Sequence, residues 1–198
     1  DKALDIYTRL TSRLPYSHLA RYALALTTAE LAATDSTKAE DAVRLFEEAL
    51  VLRNNDEIIR YAFEDFAVRA LPIRHPARAK LSRHHLDHAG LYVRTNQVKQ
   101  ALVAIRRAIR LNPVDPAARR VLAGLYRDLG LWEAFHKELQ VLAMLEPGNT
   151  NLKDRMEFYR RTVDALPSRR QGMQQYEAGM SAPRIMVFDS YEQSNAPH

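Results

Sequence analysis

Apolar and small residues recur along this chain at steps of three and four, and the pattern repeats. Residues 100–113, QALVAIRRAIRLNP, can be set above residues 134–147, AFHKELQVLAMLEP. Ala101 then falls on Phe135, Ile105 on Leu139, Ala108 on Leu142 and Leu111 on Leu145. This spacing marks one face of an α-helix and not the alternation of a strand. The segments just before agree at the same offset, Ala89 with Ala123, Leu91 with Leu125, Tyr92 with Tyr126 and Asn96 with Gly130. Asn and Gly are the residues that most readily close a helix in the left-handed conformation. Each unit therefore predicts helix, tight turn, helix and a break.

The breaks are marked by Pro113 and Pro147, 34 residues apart. Pro113 has no N–H and disfavours helix at the residue before it, so it helps to end one helix. Pro116 follows Asp115, where Asp can cap an N-terminus and Pro can take the first helical position. Two further segments carry the second-helix spacing: Ala42, Phe46, Ala49 and Asn54, and at the start Ala3, Tyr7, Leu10 and Pro15. A single amphipathic helix pair cannot cover its own apolar faces, so such units must stack on neighbours.

The 34-residue period, the small-then-aromatic pairs Ala89/Tyr92 and Ala123/Tyr126, the apolar second-helix positions and the terminal Pro resemble the tetratricopeptide repeat family. The match is specific over 82–147 and degenerate over 2–55. It implies an all-α, right-handed superhelical stack of antiparallel helix pairs, with the first helices lining a concave face.

The departures shape the expected organisation. Pro15 and Asn54 lie 39 residues apart, which predicts a longer loop at 34–41, TDSTKAED, where Thr37 and Glu40 have capping-box spacing. Asn54 and Pro113 lie 59 apart, short of two repeats. Residues 56–71 read as an irregular helix without a proper partner, and 71–76, LPIRHP, as a loop or kink. Residues 149–166 read as a capping helix, with Leu152, Met156, Tyr159 and Val163 on one side. The helical array thus occupies 1–166. Residues 167–198 form a linker and extended tail in which 185–188, IMVF, is strand-like: either a docking tail or the first strand of a further domain.

Composition narrows the classes. No run of about 18 apolar residues exists, so no transmembrane helix is expected and the chain reads as soluble. With no cysteines, disulfides, thiolate metal sites and Cys nucleophiles are excluded together. The start at Asp1 without Met, lacking a signal-peptide pattern, reads as a processed product or excised fragment and assigns no compartment. The net charge of +5 is unevenly spread. Residues 1–68 hold 8 Lys+Arg against 12 Asp+Glu, 69–120 hold 12 against 2, and 121–198 hold 9 against 10. A basic middle of this kind points to an acidic partner or to an acidic surface within the same assembly.

Candidate chemistry is sparse. His84 and His88 at i, i+4, with His85 between them and His75 upstream, could contribute to a metal site, but no further ligand is placed by the sequence. By repeat alignment His88 takes the position of Leu122, which predicts partial burial between helices. Counting along the stripe that would line the concave face gives Arg83, Leu86, Gly90 and Arg94 in one unit, and Arg120, Gly124 and Arg127 in the next. Small residues beside projecting Arg suit an extended acidic peptide; the bland reading is a solvated face, or pairs with Asp128 and Glu133. The carboxylate clamp of some family members uses Asn, which these stripes lack. A second basic line, Lys99, Arg106, Arg107 and Arg110, could meet phosphates, but aromatic residues for base stacking are absent and a solvated face reads better.

No phosphate-cradling Gly loop, nucleophile elbow or HExxH is found. Glu47/Glu48 and Glu64/Asp65 are adjacent pairs that point to different helix faces and cannot flank one substrate. The expectation is a non-catalytic protein–protein interaction scaffold, without cofactor or metal, that holds an acidic or extended partner chain in a basic groove. The first alternative is the helical module of a larger enzyme or envelope-associated protein whose working domain begins near residue 183. Nucleic-acid binding is the third reading.

Overall fold

A computed structural model describes residues 2–164, and the expected linker, and the strand at 185–188, lie outside the described residues. The described residues are all-α. The helices are α1 (Lys2–Arg13), α2 (His18–Ala32), α3 (Ala39–Leu52), α4 (Glu57–Ala70), α5 (Pro76–Arg94), α6 (Val98–Leu111), α7 (Pro116–Asp128), α8 (Trp132–Leu145) and α9 (Thr150–Asp164), with a 3₁₀ turn at Ser36–Lys38. Two compact units divide within α7, at Leu122/Ala123.

The breaks follow the local chemistry. Three helix ends adopt nearly the same extended backbone: Arg53 (φ −147°, ψ 83°), Asn112 (φ −134°, ψ 82°) and Glu146 (φ −129°, ψ 68°). Pro113 and Pro147 follow the last two and impose that conformation on the residue before them. Asp115 accepts a hydrogen bond from the Ala117 N–H at 2.8 Å, and Pro116 opens α7. The tight turns at Asn96 (φ 56°) and Gly130 (φ 72°) are both left-handed. Gln97 N–H donates to Tyr92 O and Leu131 N–H to Tyr126 O, each at 2.8 Å, and Asn96 and Gly130 donate to Val93 O and Arg127 O at 3.1 and 3.0 Å. These bonds form the same αL-closing motif at a 34-residue offset.

The loop before α3 differs from expectation. Thr37 and Glu40 do not form a capping box. Asp35 caps the 3₁₀ turn instead, accepting from the Thr37 N–H at 3.0 Å and the Thr37 hydroxyl at 2.6 Å. Glu40 reaches His75 at 2.9 Å, across from the loop before α5.

In the first unit α2 packs on α3 and α5 on α6. Phe46 is the centre of the core, fully buried, stacked on Phe63 at a 5.1 Å centroid distance and flanked by Phe66 and Tyr22 at 5.9 and 6.4 Å. The repeat positions Ala42, Phe46 and Ala49, and Ala101, Ile105 and Ala108, are all buried. In α1 the same spacing is not buried: Ala3 and Leu10 are exposed, and Leu4 and Tyr7 cover the core edge.

α4 has partners, contrary to the sequence expectation. Its N-terminus is capped by Asp56, which accepts from Ile58 and Ile59 N–H at 3.0 and 3.2 Å. Its apolar residues Ile59, Phe63, Phe66 and Ala67 are buried against α3 and α5. One helix inserted between two pairs accounts for the 59-residue interval. α5 is also longer than the repeat predicts, 19 residues against 13 in α7, because it starts at Pro76.

In the second unit Ala123, Phe135, Leu139, Leu142 and Leu152 form a core, with Tyr126, Trp132 and Met156 against it. α9 packs on α8 through Leu152 and Met156. No helix among the described residues is long and apolar enough to cross a membrane.

Candidate functional site

α5 carries most of the polar chemistry of the first unit, and its two faces differ. The inner face presents Arg78, Ser82 and His85, all buried. Ser82 donates to Ala108 O at 2.9 Å, and Arg78 donates to Leu111 O, Arg110 O and Leu71 O at 2.7, 3.1 and 3.2 Å. The Arg78 guanidinium therefore satisfies the last carbonyls of α6, a favourable place for a cation.

His85 meets Glu64 of α4 at 2.5 Å, and Arg107 of α6 reaches the other Glu64 oxygen at 3.0 Å. Burial pushes the Glu64 carboxyl up, but the hydrogen bond and charge of His85 and those of Arg107 outweigh it and hold the group below the usual carboxylate value. Glu64 thus ties three helices together.

His88 stands elsewhere than the repeat alignment placed it. It is exposed, and it stacks along the edge of α5 with His84 at 4.4 Å and Tyr92 at 6.3 Å; the buried histidine is His85. The reason is the position of the packed stripe on α5, which runs through Leu81, Ser82, His85 and Ala89 and leaves residue 88 on its flank. His84 is half-buried. Burial, then the charge of Arg60 and of His88 and His85, pushes it down to about 4. No cluster of three or more metal-ligating side chains exists among the described residues.

The outer face holds the predicted groove stripe. Leu86, Gly90 and Arg94, with Asp87 and Leu91, border an open, shallow space of about 590 Å³. Arg83 lies one turn earlier, well exposed, in an ion pair with Asp87 at 3.3 Å. Arg94 is exposed and has no charged partner among the described residues. Arg120 is exposed near the end of the first unit. In the second unit Gly124 is half-buried, and Arg127 is bonded to its neighbour Asp128 at 2.9 and 3.0 Å. The stripe is thus less basic than a count of its arginines suggests.

The second basic line is similarly engaged. Arg107 pairs with Glu64 and, at 3.8 Å, with Glu57, and Arg110 lies 3.7 Å from Asp65. Lys80 meets Glu47 at 2.8 Å. The carboxylates of α3 and α4 answer part of the positive charge of α5 and α6, so the charge asymmetry of the sequence is partly internal to the first unit. The carboxyl pairs Glu47/Glu48 and Glu64/Asp65 do diverge, with Glu48 turned to Arg21 at 2.5 Å and Asp65 to Arg69 at 2.8 Å.

No protein-family model matches the chain, and no curated protein matches it.

Proposed function

We propose that the protein is a non-catalytic interaction scaffold of the tetratricopeptide type, and that the outer face of α5 holds an acidic or extended partner chain. The observation that carries this reading is the open space of about 590 Å³ beside Leu86, Gly90, Leu91 and Arg94. Among the described residues Arg94 has no charged partner, Leu91 is half exposed, and beyond its own helix backbone nothing lies within 4 Å of where a side chain at Gly90 would begin. A peptide backbone can approach such a glycine closely. An acidic residue would then accept from the Arg94 guanidinium while an apolar neighbour covers Leu91. Arg83, one turn earlier on α5, belongs to the same proposed surface and is released from Asp87 on binding; Arg120 in the first unit and, separately, Gly124 and Arg127 in the second are proposed as further partner contacts. The superhelical stacking of the helix pairs is part of this proposal and rests on the 34-residue recurrence of turns and breaks.

The test is fluorescence anisotropy with a set of extended acidic peptides against the parent and two variants, Arg94→Glu and the triple Arg83→Glu, Arg120→Glu, Arg127→Glu. Peptides that bind the parent should lose about tenfold or more in affinity to Arg94→Glu, the order expected for a charge-assisted hydrogen bond replaced by repulsion. Equal binding by the parent and both variants, with helicity unchanged, makes these arginines a solvated face and ends the groove reading.

A further inference from the structure

The pairs α2/α3 and α5/α6 of the first unit show what the second-helix positions meet. In α3 the residues Ala42, Leu45 and Ala49 are buried, and in α6 so are their equivalents Ala101, Ala104 and Ala108. Each of these helices packs on the helix before it, α3 on α2 and α6 on α5. At the same register α1 carries Ala3, Ile6 and Leu10. One side of α1 follows the pattern: Leu4 and Tyr7, the counterparts of Val43 and Phe46, lie against the core, and α1 packs on α2.

The other side is bare. Ala3 is exposed, Ile6 is 60% exposed and Leu10 36%. Leu14, whose N–H donates to Leu10 O at 2.9 Å, extends the line by one turn and is 51% exposed. Residues at steps of three and four share one side of a helix, so these four form a continuous apolar stripe and not scattered surface side chains. What covers a stripe at this register in α3 and α6 is a helix.

The edge of the stripe states the charge of what fits it. Lys2, Arg9 and Arg13 run beside Ile6 at steps of seven and four, along one edge of the helix. Arg9 is paired with Asp5, while Lys2 and Arg13 are exposed and have no charged partner among the described residues. A second copy is a poor match. Two α1 helices related by a two-fold axis would bring this basic edge against itself, because an isologous contact meets its own residues. A helix with carboxylates along the facing edge meets the same cations favourably.

We propose that the bare side of α1 docks an amphipathic α-helix of a partner protein, its apolar face on Ala3, Ile6, Leu10 and Leu14 and its acidic edge along Lys2, Arg9 and Arg13. The docked helix gives α1 what α2 gives α3 and what α5 gives α6. Helix docking of this kind draws affinity from the apolar residues at steps of three and four and specificity from the charged edge. The inference goes beyond the scaffold reading and does not rest on the outer face of α5.

The experiment is fluorescence anisotropy on the full chain with a labelled synthetic amphipathic helix of about 18 residues, a length at which an isolated helix begins to hold. It carries Leu and Ala on one face and Glu along one edge. The comparators are the same peptide with Lys in place of Glu, and a peptide of the same composition in scrambled order. The Glu helix should bind at one site, and the Lys and scrambled peptides about tenfold more weakly or worse. Ile6→Glu should weaken the Glu helix about tenfold or more, since it sets a charge in the apolar contact. Ile6 is exposed in the free protein, so the fold is kept, and circular dichroism checks that it is. Arg13→Glu should weaken the Glu helix several-fold and strengthen the Lys helix. The proposal is overturned by no binding of the Glu helix, by equal binding of the Lys or scrambled peptide, or by unchanged affinity in Ile6→Glu, which places the binding on another surface. It is also overturned by sedimentation in which the parent dimerises and Ile6→Glu does not, which assigns the stripe to a second copy.

Discussion

Glu64 Oε1 and His85 Nε2 lie 2.5 Å apart with both side chains less than a tenth exposed, and Arg107 closes on the same carboxylate from α6. Three helices of the first unit are thus joined through one buried carboxylate, with Arg107 a third exposed. Removing Glu64 takes the partner from the buried His85 ring, while Arg107, a third exposed, keeps Glu57. Glu64→Ala should destabilise the protein by about 2–3 kcal/mol. Replacing Glu64, His85 and Arg107 together with apolar residues of similar size should recover most of that loss. Thermal melts of the single and triple variants check both statements.

Acid should unfold the protein through two linked groups. The unfolded chain protonates His84 near 6.5 while the folded chain resists until about 4, so stability present above 6.5 declines as pH falls between those values. The Glu64 carboxyl is held below its ordinary value of 4.5, so its contribution is present above 4.5 and is lost as pH falls through the lower folded value. His84→Gln should flatten the first slope and leave the second. Chemical denaturation at a series of pH values measures both; a parent and variant that decline in parallel from pH 6.5 would contradict the assignment to His84.

Glycines in this chain should divide by backbone conformation. Gly130 sits at φ 72°, where a Cβ is strained even though open space surrounds it, so Gly130→Ala should cost about 1 kcal/mol. Gly90 lies within α5 with nothing within 4 Å of a built Cβ, so Gly90→Ala should stabilise by about 0.5–1 kcal/mol through helix propensity. Urea midpoints at constant slope read the two signs.

Arg78 donates to three carbonyls that terminate α6 and α4. Arg78→Met keeps much of the stem volume but leaves those carbonyls buried without donors, and should cost about 2–4 kcal/mol. Arg78→Lys should not restore it, since an ammonium cannot reproduce the spread of the fork. Amide exchange at the end of α6 should accelerate in both variants.

What sequence reveals here follows from what is local. Asn96 and Gly130, the prolines at 113, 116 and 147, and the triplets Ala42/Phe46/Ala49 and Ala101/Ile105/Ala108 act through their own backbone or one helical face, and their placement could be read directly. The Glu64–His85–Arg107 centre could not, because its members lie 21 and 43 residues apart and meet only through the packing of α4, α5 and α6. His88 was misplaced for a related reason: aligning it with Leu122 assumes that α5 packs the same stripe as α7, and α5 packs one through His85 instead. The basic middle of the chain, read as a call for an outside acidic partner, is partly met by Glu47, Glu57, Glu64 and Asp65. Leu86, Gly90 and Arg94 of the expected α5 stripe border one open space.

The inserted α4 also sets a timetable for synthesis. Its carboxylate Glu64 emerges from the ribosome well before its partners His85 and Arg107, 21 and 43 residues later. Until α5 and α6 have appeared, burying Glu64 beside Phe63 and Phe66 would strand an acid without its partners. That contact is therefore completed only after α6 has been made. A nascent chain stalled before that point presents an unfinished aromatic surface, the kind that holding chaperones recognise.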